Sequence, residues 1–114
     1  MNLFRVTLPI ATVSEANRRD HWSTRARRAK MQRWTVAAKL HGEKLPKLPV
    51  VVTLTRLAPR ELDTDNLAGA MKAIRDGVAD AYGLKSDRDA RVTWRYAQER
   101  ADQWHAGVRI AIQG

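Results

Sequence analysis

The chain contains no cysteine. That absence removes disulfides, thiol catalysis and thiolate metal sites together, and it suits a reducing cytosol. Long apolar runs are missing too: the longest, around Leu48 to Leu54, is far too short to cross a bilayer. The opening MNLFRVTLPIATVS carries Arg5 inside its apolar portion and Pro9 after it, so it does not read as a signal peptide. No Gly-rich phosphate loop, dinucleotide fingerprint or serine-nucleophile motif occurs. The three histidines, His21, His41 and His105, show no metal-ligand spacing. Acids are scarce: 12 Asp and Glu stand against 21 Lys and Arg, for a formal net charge of +9. A basic surface attracts phosphates and speeds encounter, which makes nucleic acid the leading ligand class; a merely solvated charged surface is the plainer alternative. The length of 114 residues is that of one domain, long enough to bury roughly two thirds of its unfolded surface without staples.

What acids there are gather around one stretch, ELDTDNLAGAMKAIRDGVADAYGLKSDRDARV, Glu61 to Val92. Asp63 and Asp65 open it in an extended segment, where side chains two apart point the same way. Leu67, Ala70, Met71, Ile74, Val78 and Ala81 then recur at spacings of three and four, which predicts one helix from Leu67 to Tyr82 with a single apolar stripe. Gly83 reads as its stop. Asp87 and Asp89 follow in a short loop before a strand at Arg91 and Val92. If the two ends of this unit meet, Asp63, Asp65, Asp87 and Asp89 share one pocket. Like charges at a few Å repel by about 1–4 kcal/mol in a watery to intermediate medium. A hard cation such as Mg²⁺ would offset that repulsion, with Mn²⁺ as a substitute.

Each of these residues also has a plainer role. An Asp before a helix caps its free N–H groups, and Asp is common in polar turns. Lys72 either makes a surface i,i+4 pair with Asp76 or places a cation beside a scissile phosphate. Asp76 itself is an outer-ligand candidate, and Asp80 reads as solvated.

The rest of the chain reads as strands around two helices. Leu3–Leu8 is the first strand, with Phe4, Val6 and Leu8 on one face. A basic loop follows with Asn17, Arg18, Arg19, His21 and Trp22. Ser23 or Thr24 would cap a helix ended by Gly42, packed on the sheet through Ala26, Ala37, Ala38 and Trp34. Arg25, Arg27, Arg28, Lys30, Arg33 and Lys39 make this helix basic, as either a solvated or a phosphate-contacting face. Trp22 is a packing residue or a base-stacking one. Val50 to Leu57 is the second strand and Val92 to Arg100 the third. Trp104 to Ile112 is the fourth and is expected to form a hairpin with the third. The order β-α-β-α-β-β predicts a single α+β domain, a small mixed or antiparallel sheet with two helices mainly on one face.

With those pieces in place the chain resembles the RusA-type Holliday junction resolvases, small basic phage-associated endonucleases. The likeness lies in DTDN at Asp63 to Asn66, Lys72, RDGVADA at Arg75 to Ala81, SDRDARV at Ser86 to Val92 and TWRYAQER at Thr93 to Arg100. The early NRRDHWSTRAR, Asn17 to Arg27, is similar to the family's basic N-terminal region. The resemblance implies a homodimer, phage- or prophage-encoded and working in the bacterial cytosol. It would bind four-way DNA junctions and nick two opposed strands with Mg²⁺, in recombination, repair or phage DNA processing. It implies Asp63, Asp65 and Asp89 as catalytic carboxylates, with Asp87 able to substitute, and Lys72 as the essential lysine. The basic loop and helix, through Arg18, Arg19, His21, Arg25, Arg27 and Arg28, are the expected DNA contacts. Two features depart from the family pattern: Lys72 lies about one helical turn further from DTDN, and Arg88 stands where a second adjacent acid is expected.

Overall fold

The structure, a computed structural model, describes residues 2–12 and 21–114. Its elements are β1 (Leu3–Leu8), α1 (Trp22–Leu40), β2 (Val50–Ala58), α2 (Thr64–Ala70), α3 (Lys72–Ala81), β3 (Val92–Arg100) and β4 (Gly107–Gln113). The four strands form one mixed sheet in the order β1-β4-β2-β3. β2 and β3 are parallel, and β4 is antiparallel to both β1 and β2. The chain is an α+β domain with the expected element order.

Period-two alternation decides the sheet's inner face. Register places Val52 beside Trp94 and Ile112, Leu54 beside Tyr96 and Ile110, and Phe4 and Val6 beside Ile112 and Ile110. These side chains belong to one apolar cluster that also takes Val36 and Leu40 of α1 and Leu67, Met71, Ile74 and Val78 of the second helical unit. Val36, Met71, Ile74 and Val78 are fully buried. The stripe read from the sequence is therefore the buried face.

Three expectations are corrected. The helix expected over Leu67–Tyr82 starts at Thr64 and is broken into α2 and α3 at Met71. The Met71 N–H is shared between the carbonyls of Leu67 and Ala68, both at 3.2 Å, which tightens the turn there. Met71 itself is wholly buried at the break. Second, β3 and β4 make no hairpin: β3 takes one edge of β2, and β4 pairs with the other. The chain crosses the end of β2 between them, with Ala101 N–H bonded to Ala58 O at 3.1 Å. Third, α1 turns Val36 and Leu40 inward, while Trp34 is 67% exposed. α1 packs instead on α3, so closely at Gly77 that a Cβ added there would lie 2.7 Å from the Arg33 carbonyl and the Val36 Cβ. Gly83 ends α3 with φ +70, as expected of a glycine stop. Among the described residues no helix is long and apolar enough to cross a membrane.

Candidate functional site

Asp63 caps α2. Its Oδ1 accepts the Asn66 N–H at 3.0 Å, and its carbonyl accepts that of Leu67. Asp65 sits in the first turn of that helix with its side chain exposed. The segment is held from β3. The Gln98 side chain clamps the Leu62 backbone both ways: its Oε1 accepts the Leu62 N–H at 2.8 Å, and its Nε2 donates to the Leu62 carbonyl at 2.7 Å. A side-chain amide thus replaces a ladder pair and fixes the backbone immediately before Asp63.

Asp87 lies in a second place. It is 7% exposed and is enclosed by cations. Lys72 Nζ approaches its Oδ2 at 2.9 Å, and Arg75 Nη2 approaches the same oxygen at 3.0 Å. Its carbonyl accepts from Trp94 Nε1 at 2.8 Å. Arg75 in turn donates to the Tyr96 hydroxyl at 2.6 Å and lies 4.8 Å over the Trp94 ring, a cation–π geometry. Its Nε is buried with no hydrogen-bond partner among the described residues. Lys72 is shared, since Asp76 Oδ1 is also 2.9 Å from Nζ. The i,i+4 pair read from the sequence is real, and a buried acid from the next loop joins it.

The charge states follow. Burial pushes the Asp87 carboxyl up, but the hydrogen bond from Lys72 and the charges of Arg75 and Lys72 outweigh it, and the net displacement is downward. The bond to Asp87 is the largest influence on Lys72, whose pKa is raised. Both are ionised at neutral pH.

Asp89 faces a different partner. Its two oxygens take the Arg91 guanidinium at 3.0 and 2.9 Å, and Oδ1 also accepts the Arg91 N–H at 3.0 Å. Those bonds pull its carboxyl down to about 2.

The two acid pairs are not brought together. Among the described residues, no three Asp, Glu or His side chains are grouped so as to hold a metal ion. The physical reason is the parallel crossover. A helix joining parallel neighbours runs back against them, so it starts beside the end of one strand and finishes beside the beginning of the next. Leu62 is held at Gln98 and Asp87 at Trp94, four residues apart on β3, about 13 Å at strand rise. No family model matches the chain, and no curated protein matches it.

Asp63 and Asp65 fit a hard divalent cation in their donor chemistry. Their exposed carboxylates are the ligands Mg²⁺ takes one or two at a time, with waters and phosphate oxygens completing its shell. Asp87 and Asp89 are engaged by Lys72, Arg75 and Arg91.

Of the expected DNA contacts, Arg18 and Arg19 lie outside the described residues. His21 caps α1, its Nδ1 accepting the Ser23 N–H at 3.2 Å. Arg25 and Arg27 are exposed on the first turns of α1, and Arg28 is half-buried. Trp22 is 68% exposed. Arg33 is taken up by Asp80 on α3 through bonds of 2.6 and 2.8 Å. The roles of Arg75, Tyr96 and Gln98 emerge only from the fold. A polar residue at a helix-facing strand position, as at Gln98, is the available sequence signal, since such a residue must find a partner when buried.

Proposed function

We propose that the chain is a metal-dependent endonuclease of the RusA kind, acting on four-way DNA junctions as a homodimer in the bacterial cytosol. The observation that carries this reading is the Lys72–Asp87 pair. It joins the helix lysine to the second acidic loop, two parts of the motif that lie apart in sequence. The net charge of +9 supports a polyanion substrate.

In this reading Asp63 and Asp65 would hold Mg²⁺. A bound Mg²⁺ supplies a more acidic water and positive charge at the phosphate. The Gln98 clamp orients the backbone that carries Asp63. Asp87 and Asp76 keep Lys72 charged and in place, so that its ammonium can offset charge developing on the phosphate. Arg25, Arg27 and Arg28 of α1 would meet the sugar–phosphate backbones, which carry little sequence information.

The separation of the two acid pairs favours a second reading, a junction-binding module without cleavage. A labelled four-way junction, incubated with Mg²⁺ and with chelator beside a linear duplex of the same arms, separates the two. Paired nicks only in the junction and only with metal are expected, and Asp65→Asn should abolish them while binding persists. Tight binding with no product in either condition leaves the binding module; cleavage retained by Asp65→Asn removes the assigned carboxylates.

A further inference from the structure

No packing contact in the fold requires a glycine at position 69. It lies in the last turn of α2, beside the break at Met71, and glycine is a poor helix former. Its φ is not left-handed, and among the described residues a Cβ added there would meet no atom within 4 Å. Gly77, one helix on, shows the contrast: there a Cβ would strike α1.

The open space over Gly69 is a cleft of about 570 Å³ between α1 and the α2–α3 pair. That volume is in the range of small-ligand pockets. Its floor is made of Ala26, Ala29, Gly69 and Ala73, so backbone is nearly bare on both sides. Its rim carries Arg25, Lys30, Arg33 and Lys72 against one acid, Asp76. Arg33 and Lys72 have carboxylate partners. Arg25 and Lys30 have none among the described residues. A shallow, small-residue floor under an excess of cations complements a chain that is narrow and anionic.

We infer that this cleft seats one sugar–phosphate strand of the DNA, with Gly69 at the point of closest approach, and delivers that strand to Lys72. The inference rests on the DNA reading above and adds the track that the strand follows. Arg25 and Lys30 hold its phosphates, and the absent side chain at Gly69 leaves room for the sugar.

The test is anisotropy of a labelled four-way junction in chelator, so that no product forms, across a salt series. Gly69→Leu and Ala29→Leu fill the cleft. Each should weaken binding at least tenfold with an unchanged circular dichroism spectrum. Ala38→Leu, on the exposed side of α1 away from the cleft, should bind as the parent does. Arg25→Gln with Lys30→Gln should flatten the slope of log affinity against log salt by about 0.9 for each phosphate no longer neutralised. Parental affinity in a folded Gly69→Leu overturns the cleft while the DNA reading stands. If that variant does not fold, Gly69→Ala and the double glutamine variant decide, and parental affinity in both overturns it equally. A parent protein that binds neither junction nor duplex at low salt removes the DNA reading and the cleft together.

Discussion

Lys72 Nζ sits 2.9 Å from Oδ2 of Asp87, an acid that is 7% exposed. Arg75, on the next turn of α3, reaches the same oxygen at 3.0 Å. The geometry makes Asp87 the counter-charge of the helix rather than a free ligand. Asp87→Ala removes the carboxylate partner of Arg75, whose side chain is only 23% exposed. Losing a charge-assisted bond from a largely buried group costs about 1.5–3 kcal/mol. The Lys72 side is well exposed and adds little. Chemical denaturation of Asp87→Ala at neutral pH should show a loss of about 2 kcal/mol; a change under about 0.5 kcal/mol would discard the network as a stabilising feature.

The same pair sets a pH dependence. Asp87 is lowered in the folded state, so the unfolded chain takes up its proton first. The contribution is present above the ordinary carboxylate value of about 3.9. It is lost as pH falls through the lower folded value. The stability gap between the parent and Asp87→Asn should therefore hold from neutral pH to about 5 and close below about 4. A gap that stays constant down to strongly acidic pH would mean that Asp87 is not the group titrating.

Patterns of period two and 3.6 make much of this fold legible. Phe4, Val6, Val108, Ile110 and Ile112 share the inner face, and the stripe from Leu67 to Val78 is buried. Choices that depend on the whole sheet are not legible. Nothing between Ala101 and Ala106 states which edge of β2 the fourth strand will take, and chain proximity points to a hairpin. The acid pairs are visible as pairs, but their separation follows from β2 and β3 being parallel. In α1 the alanines carry so weak an apolar signal that the pattern sets Trp34 inside, whereas Val36 and Leu40 alone hold that face.

Gln98 links β3 to the start of the acidic helix through both atoms of its amide. Gln98→Leu should break both bonds and leave the Leu62 N–H and carbonyl unmatched in a half-buried place, a loss of about 1–2 kcal/mol. Gln98→Glu keeps the acceptor and loses the donor, so it should fall between. If Asp63 acts in cleavage, nicking should fall further than stability alone accounts for, since misplacement is felt in rate. Parental stability in Gln98→Leu would show the clamp to be without weight.

Gly77 and Gly69 are opposite cases one helix apart. Gly77→Ala puts a Cβ 2.7 Å from Arg33 O and Val36 Cβ. α1 and α3 must then separate, at about 1–3 kcal/mol. Gly69→Ala meets nothing among the described residues and should gain up to about 1 kcal/mol in helix propensity. Thermal melts of the two variants should therefore shift in opposite directions. A Gly77→Ala protein as stable as the parent would contradict the close packing of α1 on α3.

Asp89 offers a site-specific check. Its carboxyl is held down to about 2, by the Arg91 side chain first and the Arg91 N–H second. Arg91→Gln removes the larger influence, so the Asp89 midpoint in a carbon-detected NMR titration should rise toward about 3.9. The sign follows from which form is favoured: Arg91 stabilises the ionised carboxylate, and its loss makes protonation easier. Adding Mg²⁺ to the parent at mildly acidic pH separates the carboxylates further. Asp63 and Asp65 resonances should shift, while Asp89, already matched by Arg91, should stay still. Movement of Asp89 comparable to that of Asp63 and Asp65 would return it to the ion's ligands and put the Arg91 pair in the role of a gate that the metal opens.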